Sequence, residues 1–305
     1  MNSTKPTTSL PPAETSSPVQ HARKLAQEFG YFLWTNKLAL VGFIVIVILL
    51  IIALFAPLIA PYPEDIYDEV HLENKFLPPS ADHWFGTDEM GRDIFSRVVY
   101  GTRISFEIGL TAIALSLVIG VPLGLIAGYF GRWVDEVIMR VCDIFLSFPP
   151  LLLAIAIVAL LGPSITNMMI AISLSWWPWY TRLIRSQAVS IKERGFVEAA
   201  KTIGVSSPRI IARHVLPNSL SPVIVQASMD FGSIILTAAS LSFLGLGAQA
   251  PTPEWGLMIS IGRNFFMTSW WYITFPGLFI LLTVMAFNFL GDGLRDYLDP
   301  KTRDR

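Results

Sequence analysis

The chain has 305 residues, of which 53% are apolar and only 15% are Asp, Glu, Lys or Arg. Soluble domains carry about 25% charged residues, and a single water-soluble globule of this length needs more polar surface than the chain can supply. The formal net charge of −1 excludes a global basic field for nucleic acid, and a single cysteine, Cys142, excludes an internal disulfide framework.

Residues 1–22 are rich in Ser, Thr and Pro without apolar periodicity, the pattern of a disordered segment. From His21 to Lys37, Leu25, Phe29, Phe32 and Leu33 fall on one face of a helix that would lie in a membrane interface. Residues 1–37 therefore form an N-terminal polar segment. A bilayer core about 30 Å thick needs about 20 apolar residues as helix. Leu38–Ala60 carries no charge and stops at Pro61, so it reads as a first span.

The polar stretch 61–103 contains Phe85-Gly-Thr-Asp-Glu-Met-Gly-Arg-Asp93. Gly86 and Gly91 permit tight turns, and Asp88, Arg92, Asp93 and Arg97 are close enough in sequence to pair. One reading is a salt-bridged cap over the mouth of a helical bundle. The other is an outer docking surface or gate built on Gly86, Asp88, Gly91, Arg92 and Asp93.

Ile104–Phe130 is a second span containing Glu107, with Gly120, Gly124 and Gly128 four residues apart. That spacing allows close helix packing. A third span, from about Val134 to Leu161, opens on a charged turn, includes Asp143 and is bent at Pro149-Pro150. Ile165–Thr181 is the fourth, separated from the third by Gly162, Pro163 and Ser164. Its Trp176, Trp177, Trp179 and Tyr180 suit an interface belt, as do Trp270 and Trp271 on the opposite side.

Between the fourth and fifth spans lies 182–218. Good helix formers run from Phe196 to Gly204, a suitable C′ residue. Ser207 can cap a second helix, Pro208 suits its first position and Pro217 ends it. Ala199 and Ala200 leave little bulk, so another surface can approach the first helix, while Val197, Ile203, Ile210 and Ile211 supply apolar contacts. A DNA-reading helix–turn–helix is excluded by the tether to the membrane at both ends. Ser219–Gly247 is a fifth span containing Asp230, and Tyr272–Leu290 an uncharged sixth. An intramembrane carboxylate is costly and marks a candidate pathway. Asp230 is mid-span, whereas Glu107 and Asp143 sit near span ends.

Six spans place both termini on one side. That side would receive 17 of the 22 Lys and Arg residues, so it should be cytoplasmic. The fold expected is all-α, a six-helix polytopic membrane protein.

Glu198-Ala199-Ala200, then Gly204, then His214-Val-Leu216-Pro217 resembles the EAA loop of permease subunits of bacterial ABC importers, with His214 where the general pattern has Ile. His-Val-Leu-Pro-Asn, the Phe85–Asp93 stretch, Leu241-Ser-Phe-Leu-Gly-Leu-Gly247 with Pro253-Glu-Trp-Gly256, and Asn288–Asp296 with Leu298-Asp-Pro300 resemble the C-type members of the dipeptide, oligopeptide and nickel branch. The resemblance covers residues 38–301, leaving 302–305 as a tail. It implies the type I ABC-importer permease fold in the cell membrane. The implied partners are a second, B-type permease, two ATPase subunits, an extracytoplasmic substrate-binding protein and lipid, with no nucleic acid. The implied coupling residues are Glu198, Ala199, Ala200, Gly204, Leu216 and Pro217. ATP and Mg would belong to the partner ATPases, since this chain has no G-x-x-x-x-G-K-[S/T] phosphate loop and no metal motif. The implied cargo is a di- or oligopeptide, with nickel, glutathione or another small solute as alternatives. An ion-coupled carrier using Asp230 and Glu107 is a competing class. A membrane enzyme lacks a clustered site, because His21, His71, His83 and His214 are scattered.

Overall fold

The computed structural model describes residue 27 and residues 30–298. The expected disorder of 1–22, the positions Leu25 and Phe29, and the tail 302–305 lie outside the described residues. Among the described residues the chain is helical, with one isolated bridge, Thr87 to Asp93.

Residues 30–35 are helical and bury Phe32 and Leu33. Helix α1 spans Lys37–Ile59, opened by Asn36, whose Oδ1 accepts the Ala39 N–H at 3.1 Å. Helix α2 spans Ile94–Phe130 and is capped by Asp93, whose Oδ2 accepts the Ser96 N–H at 2.7 Å. It begins ten residues before the expected start at Ile104, because this first, polar portion is solvated by the outer loops rather than by lipid. Gly131, at φ +65°, turns the chain into α3, Arg132–Leu146.

The third expected span is not one rod. After α3 the chain breaks at 147–149 and resumes as α4, Pro150–Leu161, bent by 86° from α3. Pro149 is extended and Pro150 starts the new helix, where its missing N–H costs nothing. At 12 residues α4 is about 18 Å long, too short to cross a bilayer alone.

Helix α5 spans Ile165–Lys192, capped by Ser164. Helices α6 (Gly195–Thr202) and α7 (Ser207–Ile210) follow, then a π-helical turn, Ile211–Val215, and α8, Leu216–Phe243. Pro217 does not end a helix as expected. The backbone is helical from Ser207 to Phe243, because the wide π turn absorbs the proline's missing donor: the Leu216 N–H bonds to Ile211 O, five residues back. Helices α9 (Trp255–Gly262) and α10 (Trp271–Leu298) complete the order.

Four helical stretches, α1, α2, Ser207–Phe243 and α10, are long and apolar enough to cross a membrane, and the bent α3–α4 pair makes a fifth if it is one span. Helix α5 has the length, about 42 Å, but its polar and aromatic side chains keep it from standing as a span on apolarity. Met168, Ile172, Trp176, Tyr180, Ile184 and Ala188 of α5 are all in the central core, so the helix is surrounded by protein more than by lipid.

Helices α2 and α5 run parallel. Ser116 Oγ reaches Ser173 O, and Gly120, Gly124 and Gly128 lie against the backbone of Trp177, Thr181 and Arg185, an offset of 57 residues throughout. A Cβ on Gly124 would come within 2.5 Å of Thr181 O. Two parallel helices require the intervening chain to return, here from the level of residue 130 to that of residue 108, about 33 Å. Segment 131–164, bent as it is, therefore traverses one bilayer thickness. Helix α10 packs antiparallel to α8, with Met229 on Gly291 and Phe231 stacked on Phe287. It also packs antiparallel to α1, with Gly42 against Ala286 O. Phe32 meets Tyr297 at 5.0 Å, so both ends of the described chain lie at one end of the bundle. The 182–218 loop lies there too, since Asn218 and Leu298 line the same cavity.

Trp176, Trp177 and Tyr180 are buried, as is Trp271, whose Nε1 donates to Thr87 O at 3.2 Å. These are core residues and not the interface belt expected. Trp179 and Trp270 are half exposed. Aromatic composition at a span end does not say which way each ring points.

Candidate functional site

The loop beyond α5 is built on a helix-ending motif. In α6 the Gly204 N–H bonds to Lys201 O and the Val205 N–H to Ala200 O, both at 3.0 Å, with Gly204 at φ +81°. This is the Schellman arrangement, and it needs glycine because the left-handed conformation is strained for any side chain. Ser206, not Ser207, precedes the next helix, and its carbonyl accepts the Arg209 N–H. Pro208 is therefore one position further in than expected.

One face of α6 is fixed to the bundle. Val197 and Ile210 are fully buried, Ala200 nearly so, and all three join the central core. Tyr129, near the end of α2, clamps the loop: its hydroxyl lies 3.4 Å from Ser207 Oγ, and the Lys201 ammonium sits 5.5 Å from its ring centre. Lys192 Nζ donates to Gly128 O at 2.8 Å. The opposite face is open. Glu198, Ala199 and Gly204 are exposed, Phe196 is 44% and Ile203 80% exposed. Ile203, the cap residue from which the chain turns, thus points away from the bundle, while Val197 and Ile210 make their apolar contacts within it. Leu216 is half-buried and Pro217 exposed. Of the six expected coupling residues, α6 brings Glu198, Ala199, Ala200 and Gly204 together, while Leu216 and Pro217 mark the far end of the π turn. The arrangement offers a short, small-residue helix with an apolar knob at each end, on a rigid base.

Asp230 lies in mid-α8. Gln226 Nε2 donates to its Oδ1 at 3.0 Å, and Oδ2 is buried without a hydrogen bond. Tyr180 of α5 is its neighbour across the helix interface. Asp143 pairs with Arg182, and Asp135 with Arg185, pinning α3 to α5. Asp143 is thereby satisfied by a cation, and Glu107 is exposed on the bundle surface. The Asp135–Arg185 pair and the Tyr129 clamp carry no local sequence signal, since their partners are 50 or more residues away.

At the other end of the bundle the motif Phe85–Asp93 folds inward. Asp88 accepts from the Met90 and Arg92 N–H groups at 2.8 and 2.9 Å and from Arg92 Nε at 2.8 Å. His83 Nδ1 is 3.0 Å from Asp93 Oδ1, and His71 Nε2 3.0 Å from Asp65. Arg97 donates to the carbonyls of Asp65, Ile66 and Pro251. Gly91 is at φ +80°, and a Cβ there would lie 1.8 Å from His71 O. Burial pushes the Asp65 carboxyl above its ordinary value, against the opposing pull of the Asp93 N–H and His71. Asp88, Arg92 and Asp93 are buried, and Gly86 and Gly91 pack on neighbouring backbone. These residues are packed into the cap, and exposed apolar side chains at this end of the bundle include Tyr67, Trp84, Met267 and Trp270.

Comparison with known proteins agrees with this geometry. Residues 120–304 match the family described as binding-protein-dependent transport system inner membrane component, and residues 25–79 the N-terminal TM domain of oligopeptide transport permease C. The chain is 54% identical over 268 residues to the dipeptide transport system permease protein DppC of Alkalihalophilus pseudofirmus, covering 88% of this chain and 87% of the relative. It is 47% identical over 290 residues to the probable D,D-dipeptide transport system permease protein DdpC of Escherichia coli, covering 94% and 96%. It is also 47% identical over 269 residues to the glutathione transport system permease protein GsiD of Escherichia coli, covering 88% of each. An inward-facing structure of the MetNI methionine ABC transporter shares the fold, with TM-score 0.54 at 17% identity over 68% of this chain and 98% of that one. The chain belongs to the binding-protein-dependent transport system inner membrane components, as a C-type ABC importer permease.

Proposed function

We propose that the chain carries short peptides across the cell membrane as one half of a translocation path, with a B-type permease supplying the other half. Both termini and the α6 loop face the cytoplasm, in keeping with the basic residues concentrated in those segments. Of two ATPase subunits holding ATP and Mg, one docks on Glu198, Ala199 and the exposed Ile203 of this chain, with Gly204 setting the turn and Leu216–Pro217 relaying movement into α8. A substrate-binding protein delivers cargo to the capped outer end. Asp230 lies along the path. The observation that carries this reading is the open, small-residue face of α6 on a fixed base. Relatives named for dipeptides favour peptide cargo, and glutathione, itself a peptide, is the second reading because of the GsiD relatives.

The test is co-purification. Glu198→Lys should cut recovery of the ATPase with the permease at least tenfold and abolish ATP-driven dipeptide uptake, while permease abundance in the membrane is unchanged. Undiminished recovery would overturn the assignment of α6 as the docking helix.

A further inference from the structure

A cavity of about 650 Å³ opens at the loop end of the bundle, between α5, α8 and α10. Its polar lining is mostly carboxamide. Gln187, Asn218 and Gln226 contribute carboxamides, Ser221 a hydroxyl, and Arg295 the single charge. Gln187 and Ser221 make no side-chain hydrogen bond, and Arg295 no ion pair, among the described residues. Gln226 is oriented by Asp230, to which it donates through Nε2, so its Oε1 is left as an acceptor. Asp230 Oδ2 is itself sealed from solvent and does not open into the cavity. Leu183, Val225 and Met229 form an aliphatic wall, and methionine adapts to differently shaped partners.

We propose that this cavity binds the carboxylate-terminated end of a short peptide. Arg295 meets the carboxylate as a planar, paired donor. The amide of Gln187 donates to a peptide carbonyl, and Gln226 Oε1 accepts a peptide N–H. Amides match the main chain and ignore the side chain, which lies against the aliphatic wall. The site therefore reads a free C-terminus and is indifferent to the N-terminus, because the nearby acidic oxygen is closed off. At this size it accommodates two or three residues, since ligand pockets run from about 300 to 1,000 Å³. On the proposed topology it is the exit-side holding site for cargo, so the inference rests on the permease reading and adds the chemistry that its inner mouth recognises.

Thiol protection tests it on the full chain in nanodiscs. Cys142 is buried, so wild type gives the background for a maleimide reporter at Ser221→Cys, a lining position with no part in the proposed recognition. Alanyl-leucine should slow labelling at least threefold, N-acetyl-alanyl-leucine should do the same, and alanyl-leucine amide should not. Arg295→Gln should abolish the protection and Arg295→Lys should retain part of it. Equal protection by acid and amide, or protection surviving Arg295→Gln, would overturn the proposal. So would no protection in phosphatidylcholine discs together with slowed labelling in phosphatidylglycerol discs, which would make the ligand a lipid headgroup. Failure of the ATPase to co-purify would sink the permease reading while leaving the protection result standing, whereas an ATPase-bound complex without protection would sink the site alone.

Discussion

At the scale of single residues, Glu254 shows how a buried group sets a pH response. It caps α9, accepting the Gly256 and Leu257 N–H groups at 3.0 and 2.9 Å. Complete burial raises its carboxyl above the ordinary value near 4.5, although the two N–H donors pull the other way. The folded cap therefore holds the proton more tightly than the unfolded chain does. Its stability is fully present below the ordinary value and is lost as pH rises through the elevated folded value. Hydrogen exchange at Gly256 and Leu257, corrected for intrinsic rates, should show protection falling with rising pH above 4.5 in the wild type and staying flat in Glu254→Gln. The Pro253-Glu-Trp-Gly256 motif was legible in the sequence, but the capping role was not. Capping is visible only once the chain is seen to turn from extended Glu254 into the helix. Likewise Trp176 and Trp177 read as membrane anchors by composition, and only neighbours distant in sequence turn them inward.

At the scale of elements, spacing was the more reliable signal. The four-residue period of Gly120, Gly124 and Gly128 announced a close helix contact, and α5 lies against it. Gly204 announced the end of α6. What spacing could not show was how proline would be absorbed. Pro149-Pro150 bends the chain by 86°, while Pro217 passes within a continuous helix. The difference is the π turn at Ile211–Val215, which widens the backbone just before the ring. Pro217→Ala restores an N–H and allows ordinary helix registration. It should keep or raise thermal stability, by up to about 1 kcal/mol if the site takes alanine without strain, and leave ATPase recovery intact. Uptake per ATP hydrolysed should fall several-fold, measured in proteoliposomes. An unchanged ratio would mean that the turn is only a proline accommodation.

At the scale of the molecule, two independent features bear on the number of crossings. Hydropathy marks four or five spans, and the parallel register of α2 and α5 obliges the chain between them to cross back. The asymmetric distribution of Lys and Arg supports the cytoplasmic placement of both termini proposed above. A phosphatase fused after residue 305 should be inactive and a cytosolic fluorescent reporter at the same place bright. The same pair fused after residue 80 should behave in reverse. Composition exposed the membrane class because lipid demands apolar surface everywhere it touches. Helix α5, expected as the fourth span, falls short of lipid-facing apolarity, since a helix wrapped by other helices is released from that demand.

The glycine seam between α2 and α5 has a mechanical consequence. Backbone lies on backbone there, with no long side chains to slide or re-pack, so the pair behaves as a single stiff beam. The α6 loop hangs between that beam and α8, tied to the first by Tyr129, which meets Ser207 and Lys201, and joined to the second through the π turn. A push on α6 meets a fixed post on one side and a compliant joint on the other. On the coupling role proposed for α6, the displacement leaves as rotation of α8, the helix that holds Asp230 and one wall of the cavity beside it.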